Sequence, residues 1–216
     1  MAIVTISRMY GSGGSEVAAG VARELGWDLL DNALVDAVAD RLGVSAEEVE
    51  AREERPPSLV ERLATALSLT APEMLITGEH RIPDLDEERI VDMTRRVVEE
   101  AAARDHVVLV GRGAQSMLAE RTDTLHVFCY APPASLAARV AQRLGVSGAE
   151  AARVVEQTNR EREQYVKRHW NRSWRGIENY HLCCNTEWLG IEGTIRLIVE
   201  AAEGRGRGPG AVGADP

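Results

Sequence analysis

The stretch VTISRMYGSGGSEVAAGVARELG, residues 4–26, decides the fold. It begins with an apolar segment, continues into a cluster of glycines, and ends in an amphipathic helical pattern with Val17, Val21 and Leu25 on one face. Glycines let successive backbone N–H groups turn toward one point, and the positive end of the following helix dipole faces that point. This order of strand, glycine-rich turn and helix predicts a phosphate-binding loop, with a tight turn that binds nothing as the alternative.

Further short apolar runs predict the rest of a sheet. They cover residues 3–6, 107–110, 125–130 and 181–184, with residues 27–30 as a weaker fifth. Most are apolar throughout, which is typical of parallel strands covered on both faces. Because helical patterns separate them, the sequence predicts an α/β fold with helices on both sides of the sheet.

Two segments and a tail interrupt this alternation. Residues 45–85 are helical in pattern but strongly charged, and we expect them to form an inserted helical flap. Residues 147–176 form an arginine-rich helix and loop. Residues 204–216 lack apolar periodicity and are predicted to be disordered. The chain is therefore expected to be one domain, residues 1–203, followed by a tail.

The composition indicates an ordinary soluble globular protein. Of the 216 residues, 44% are hydrophobic and 27% are charged, and no apolar run approaches the ~20 residues of a membrane helix. The N-terminus shows no export signal. Cys129, Cys183 and Cys184 lie in apolar, strand-like runs, so we expect buried thiols in a reducing cytoplasm.

The charge is unevenly distributed along the chain. The formal net charge of −9 argues against a general nucleic-acid binder. Residues 139–175, however, contain nine basic and four acidic residues, a local charge of +5, and include Lys167, the only lysine of the chain. This segment is a candidate anion-binding surface, with the alternative that its arginines simply face solvent.

Three features are predicted to meet at the carboxyl edge of the sheet, where open parallel sheets bind their ligands. The first is the glycine-rich loop. The second is Arg112, on a tight turn between Gly111 and Gly113, and the third is the pair Arg160 and Arg162 in the basic segment. Each has an ordinary structural explanation when taken alone. Their convergence favours an anion site.

Several motifs together resemble a known family. They are ISRMYGSGGSEVA (6–18), VVLVGRGA (107–114), NREREQY (159–165), YHLCCNT (180–186) and LGIEGTIRLIV (189–199). From residue 3 to about residue 202, the chain resembles the cytidylate kinase-like branch of the P-loop nucleoside monophosphate kinases. This resemblance implies a P-loop NTPase-type three-layer sandwich with a parallel five-stranded sheet, in which residues 45–85 form the acceptor flap and residues 147–176 the lid.

The resemblance also implies a chemistry, the transfer of a phosphoryl group from ATP·Mg²⁺ to a nucleoside monophosphate such as CMP or dCMP. Such catalysis consists of positioning two phosphates in line and neutralising the charge between them. The implied partners are a nucleotide donor and a small phosphate acceptor, with neither nucleic acid nor membrane, and the implied location is the cytoplasm.

The loop departs from the usual pattern G-x-x-x-x-G-K-[ST], whose lysine reaches the phosphates and whose hydroxyl holds Mg²⁺. Alignment on Gly13 puts Arg8 at the first glycine, Gly14 at the lysine, and Ser15 and Glu16 near the hydroxyl position. We hypothesise that Arg8 supplies the missing charge and that Ser15 or Glu16 serves the metal. The expected cofactor-binding set is Gly11, Ser12, Gly13, Gly14, Ser15 and Glu16.

The other motifs are only partly kept. Arg112 and Arg162 match family positions directly, whereas Gly113 stands where cytidylate kinases carry an aspartate. Asn159 is a candidate ribose or base contact, and Asp31 is a further acceptor-binding candidate. Arg8, Arg160 and Arg162 are the expected catalytic residues, with Arg153 or Arg160 in place of an absent lid arginine.

Two other functional classes remain open from the sequence. The missing lysine is what a nucleotide-binding or phosphate-binding module without catalysis would show, since transition-state charge is what the lysine serves most. The basic segment, with aromatic residues near it, is also compatible with an RNA-binding or protein-interaction domain.

Overall fold

The computed structural model describes residues 2–31 and 87–204. The flap predicted at residues 45–85 lies outside these ranges, as do residues 205–216 of the predicted tail. Gly204, assigned to the tail from the sequence, is the last residue of a helix.

The core is a five-stranded sheet in which every strand pair is parallel. The strands are β1 (Ile3–Arg8), β2 (Asp28–Leu30), β3 (Val107–Val110), β4 (Thr124–Tyr130) and β5 (Leu182–Asn185), in the order β2-β3-β1-β4-β5. The predicted strands are therefore confirmed, with ends shifted by one or two residues. The largest extension is in β1, where pairing continues as far as Arg8, opposite Cys129 of β4.

Helices connect the strands. They are α1 (Gly14–Leu25), α2 (Glu87–Ala103), α3 (Ala114–Met117), α4 (Pro133–Leu144), α5 (Gly148–Trp170) and α6 (Thr186–Gly204), with a 3₁₀ turn at Ile177–Asn179. A non-helical residue, Gly190, interrupts α6. Local sequence sets the ends of α5: the Ser147 hydroxyl accepts from the N–H of Glu150, and Asn171 closes the helix in the left-handed conformation.

Both faces of the sheet are covered, which confirms the three-layer α/β architecture. On one face, Val4 and Ile6 of β1 pack with Val17 of α1 and Ile195 of α6. On the other face, Ile3 and Leu109 pack against α2 and α3, in a cluster that includes Ile90. Because successive strand side chains point to opposite faces, strands that are apolar throughout feed both layers.

The prediction that the three cysteines are buried is confirmed for two of them. Cys129 and Cys184 are buried, and burial raises the pKa of the Cys184 thiol to about 11. Cys183 is exposed, so the expectation of a third buried thiol was wrong. The reason is positional: β5 is the edge strand, and alternation turns Cys183 away from the face that α1 and α6 cover. In the part of the chain that the structure describes, no helix is both long and apolar enough to span a membrane.

Candidate active site

The glycine loop, residues 9–13, joins β1 to α1 at the carboxyl edge of the sheet. Gly11 and Gly13 have φ values of 86° and 76°, in the left-handed region that glycine adopts without steric cost. The hydroxyl and the N–H of Ser12 both donate to the carbonyl of Met9, at 2.8 and 3.1 Å. The loop is thus a compact turn that delivers the chain to the N-terminus of α1.

Side chains from two distant helices hold this loop. The Asn159 side-chain oxygen accepts from the N–H of Tyr10 at 2.8 Å, and Arg162 Nη1 donates to the carbonyl of Arg8 at 2.7 Å. Both residues are buried on α5. From the start of α6, the Thr186 hydroxyl donates to the carbonyl of Ser12 at 2.7 Å. These three bonds fix the loop against the two segments that follow β4 and β5.

The first turn of α1 points its N–H groups out of the helix beside the glycine loop. An α-helix leaves these N–H groups without intrahelical acceptors, and the helix dipole adds a partial positive charge there. Ser15 and Glu16, the predicted metal ligands, are both exposed in this turn. The Glu16 carboxylate forms an ion pair with Arg139 of α4, with 3.3 Å between Oε2 and Nη2.

Arg8 lies against two glycines that leave room for it. A Cβ atom on Gly14 would collide with the Cβ of Arg8 and lie 2.9 Å from its Cγ. A Cβ atom on Gly111 would collide with the guanidinium group. Arg8 Nη2 also pairs with Asp31, at the end of β2, at 3.6 Å. Two predicted site residues, Arg8 and Asp31, therefore meet, and the glycine at the lysine position is what admits the arginine.

A pocket on the β3 side of the glycine loop, the Arg112 pocket, collects three predicted arginines. Gly111, Arg112 and Gly113 have φ values of 68°, 49° and 73°, so a non-glycine residue is held in the left-handed region at its rim. Such a conformation costs about 1–3 kcal/mol and persists only where the surroundings impose it. The lining residues include Arg8, Arg112 and Arg162, with Ser7, Gln115, Trp174 and Tyr180.

The structure does not bring every predicted residue into this pocket. Asn159 is absent from its lining because its side-chain oxygen is bound to the loop backbone at Tyr10. Arg160, the next residue along α5, is exposed, whereas Arg162 is 9% exposed. The helical turn therefore separates the two predicted lid arginines, one toward solvent and one toward the loop.

A second pocket lies on the other side of the loop and was missed by sequence reasoning. This Arg139 pocket is lined by Gly11, Gly13, Glu16, Arg139, Val140, Gln142 and Arg143. Helix α4 lies so close that a Cβ atom on Gly11 would be 2.8 Å from the Leu136 carbonyl oxygen. The sequence signal was the spacing of Leu136, Arg139, Val140 and Arg143, which share one helical face. That spacing does not reveal which element the face contacts.

The sequence from residue 3 to residue 188 matches the model of the cytidylate kinase-like family. The chain belongs to this family. A search of curated proteins finds no match to the sequence.

Solved structures agree with the family at the level of the fold. An uncharacterised protein from Eubacterium ventriosum is 18% identical, with a TM-score of 0.68 over 94% of this chain and 99% of that chain. A shikimate kinase from Acinetobacter baumannii, in complex with shikimate, is 15% identical, with a TM-score of 0.54 over 95% of this chain and 94% of that one. A shikimate kinase from Bacteroides thetaiotaomicron is 16% identical, with a TM-score of 0.53 over 94% and 98%. This cytidylate kinase-like chain thus has a kinase-like P-loop fold.

The residues of the site fit the groups that the family implies. The N–H groups that point out of the first helical turn and the arginines on both sides suit an anionic phosphate. Among the described residues, no cluster of three or more His, Cys, Asp or Glu side chains could hold a metal ion. Mg²⁺ in kinase sites needs only one or two protein oxygens besides water and substrate phosphates. Ser15 and Glu16 can supply these oxygens.

Proposed function

We propose that this cytidylate kinase-like chain is a small-molecule kinase that transfers the γ-phosphoryl group of ATP to a CMP-like or dCMP-like nucleoside monophosphate. One observation carries the proposal: two arginine-lined pockets lie at the end of β1, one lined by Ser7 and Arg8 just before the glycine loop and one lined by Gly11 and Gly13 within it. A phosphoryl-transfer enzyme needs this arrangement, because donor and acceptor must meet in line across a positively charged junction.

In this proposal the Arg139 pocket and the first turn of α1 bind the donor phosphates, and Ser15 and Glu16 provide oxygens for Mg²⁺. When bound, ATP·Mg²⁺ supplies the phosphoryl group and neutralises part of its charge. The backbone of Gly11 to Gly14 orients the donor without a lysine. Free thiols at Cys129, Cys183 and Cys184 are consistent with a reducing cytoplasm as the place of action.

The acceptor binds at the mouth of the Arg112 pocket, whose interior of about 10 Å³ admits about one water molecule in the present arrangement. Arg112 and Arg162 bind its phosphate, and Arg8 lies between this pocket and the first turn of α1, where charge develops during transfer. Asp31 orients Arg8 through their ion pair. Asn159 positions the loop through Tyr10, and Arg160 approaches from the lid side when the acceptor is bound.

A non-catalytic nucleotide-binding module is the second candidate, and one observation favours it. Gly14 occupies the lysine position, and Arg8 packs over it so closely that no side chain fits there in the present arrangement. Binding by helix N–H groups survives the loss of the lysine better than catalysis does.

The deciding experiment is ADP formation from ATP·Mg²⁺ by the purified full chain against a panel of nucleoside monophosphates led by CMP and dCMP. Acceptor-dependent turnover supports the kinase and names its substrate. A thermal shift with ATP in the same buffer is run in parallel. Stabilisation by ATP with no turnover for any acceptor favours the non-catalytic module. The absence of both stabilisation and turnover would contradict both proposals.

A further inference from the structure

The donor side of the glycine loop needs a cation that the loop itself does not carry. Gly14 stands at the lysine position, and Arg8 extends toward Gly111 and Asp31, on the side of the Arg112 pocket. The only lysine of the chain, Lys167, donates to the Asn171 side chain at 2.7 Å near the end of α5. The positive charge on the donor side therefore comes from another element.

Arg139 lies where that charge is required. Its Nη2 and Nη1 atoms lie 2.9 and 3.0 Å from the position that a Cβ atom on Gly13 would occupy. Gly13 immediately precedes α1, so the guanidinium group reaches the point where the N–H groups of the first turn emerge. Glycine at position 13 suits this approach, because a Cβ atom there would lie 2.5 Å from Ile191 Cδ1 as well as close to the guanidinium, and the φ of 76° also favours glycine.

Helix α4 holds Arg139 in place through its neighbours on the same face. Val140 packs on the loop at Gly11, with its Cγ2 2.9 Å from the position of a Cβ atom there. One turn later, the guanidinium carbon of Arg143 lies 4.8 Å from the centre of the Tyr10 ring. The contacts of Val140 and Arg143, which follow Arg139 on the same face, thus fix α4 to the loop and leave Arg139 pre-positioned beside α1.

In the present structure Arg139 pairs with Glu16, an acidic residue in the first turn of α1. Glu16 Oε2 and Oε1 lie 3.3 and 3.5 Å from Arg139 Nη2, and the two side chains are 67% and 37% exposed, respectively. Ion pairs this exposed are weak because water screens them and both side chains lose freedom in forming them. A group with several negative charges can therefore replace the carboxylate at little cost.

We propose that Arg139 takes the place of the P-loop lysine as the cation that binds the donor phosphates, and that Glu16 is its resident counter-ion, displaced when the phosphates bind. The identity of the donor as ATP rests on the proposed function, whereas the exchange of a carboxylate for a polyphosphate does not. Compared with the usual motif, the loop has no cation at position 14 and carries an anion at position 16, and α4 provides the compensating charge.

The test is calorimetric titration of the full chain with tripolyphosphate in metal-free buffer at low salt. We expect R139A to weaken binding at least tenfold and E16Q to tighten it several-fold. The double variant R139A/E16Q should bind no tighter than R139A, because Glu16 opposes the ligand by occupying Arg139. The control R196A removes an exposed arginine of α6 outside both pockets and should stay within twofold of the parent chain.

Three results overturn the inference. They are no tripolyphosphate binding by the parent chain, binding by R139A within twofold of the parent, and an equal gain from E16Q with and without Arg139, which would mean simple charge repulsion. R139K, which keeps the charge, should retain part of the affinity, and this variant remains informative if R139A is poorly folded. Tripolyphosphate binding through Arg139 without turnover for any acceptor would contradict the proposed kinase function, but it would support the exchange of Glu16 for a polyphosphate. Turnover that R139A leaves unaffected would support the kinase function and contradict the role of Arg139.

Discussion

At the scale of single residues, Gly14 and Arg8 occupy the site as a matched pair. The space that a lysine would need at position 14 is filled by the Arg8 side chain, whose guanidinium continues to Gly111 and Asp31. A simple restoration of the usual loop lysine is therefore incompatible with this arrangement. The two positions have to change together, which a motif comparison that scores each position separately cannot show.

A pair of glycine variants tests this steric coupling. Gly14 and Gly148 are both the first residue of a helix, but a Cβ atom on Gly148 meets nothing within 4 Å. We expect G14A to lower the free energy of unfolding by about 1–3 kcal/mol through overpacking, and G148A to leave it unchanged or slightly raised. Denaturant unfolding measures both. R8G/G14A should recover most of the loss, and equal effects of G14A and G148A would contradict the coupling.

Arg8 itself has an expected kinetic signature. Because its guanidinium lies in the Arg112 pocket and not in the Arg139 pocket, R8A should reduce kcat/KM for the acceptor by about 100-fold or more and change donor affinity little. Steady-state kinetics with the acceptor identified by the panel, together with a separate ATP titration, measures the two effects. An R8A variant with unchanged turnover would end the catalytic role assigned to Arg8.

At the scale of elements, α5 is part of the loop's support. Its buried face carries Asn159, which binds the Tyr10 N–H, and Arg162, which binds the Arg8 carbonyl. Sequence reasoning assigned Asn159 to substrate binding and Arg162 to catalysis, because both were aligned with lid positions of the family that the chain resembles. The hydrogen bonds show that at least one face of this segment holds the glycine loop in its present shape, and whether the segment moves as a lid stays a prediction.

Asn159 provides the test at this scale. N159A leaves the Tyr10 N–H without its acceptor, and an unsatisfied N–H of this kind costs about 1–3 kcal/mol. We expect a loss of stability in that range together with weaker ATP binding, measured by denaturation and by titration. Q157A is the matched control, since Gln157 is exposed on the same helix and bonds only to Glu161 in the described contacts. Loss of ATP binding without loss of stability would indicate a direct ligand contact instead.

At the scale of the whole molecule, the sequence was sufficient to predict the sheet and the glycine loop. It was insufficient to predict which side chains of α4 and α5 contact the loop. Continuous apolar strands, a glycine cluster and alternating helices depend on local spacing, so a parallel sheet with the glycine loop at its carboxyl edge could be predicted, whereas the strand order was not. The placement of Arg139 over Gly13 and of Asn159 under Tyr10 depends on how α4 and α5 dock, and no local pattern encodes docking. The stacking of His126 on His181 was missed for the same reason, since strands distant in sequence create it.

We expect the burial of His126 beside His181 to make the stability of the domain depend on pH. His126 is 3% exposed, and its Nδ1 lies 2.7 Å from the Thr5 hydroxyl. Burial, with a smaller contribution from neighbouring His181, lowers the pKa of His126 from 6.5 to about 4. Between pH 6.5 and about 4, the His126 side chain is protonated in the unfolded chain but neutral in the folded chain. Its contribution to the free energy of unfolding is therefore fully present above about pH 6.5 and is lost as the pH falls toward 4.

The measurement is denaturant unfolding of the parent chain and of H126Q at a series of pH values from 7.5 to 4.5. We expect H126Q, whose amide does not titrate, to lose clearly less stability across this range than the parent. H106N is the control, because His106 is exposed, lies outside the sheet core, and has a left-handed backbone conformation that asparagine tolerates. If H126Q and the parent lost stability in parallel, the acid sensitivity would reside in other groups.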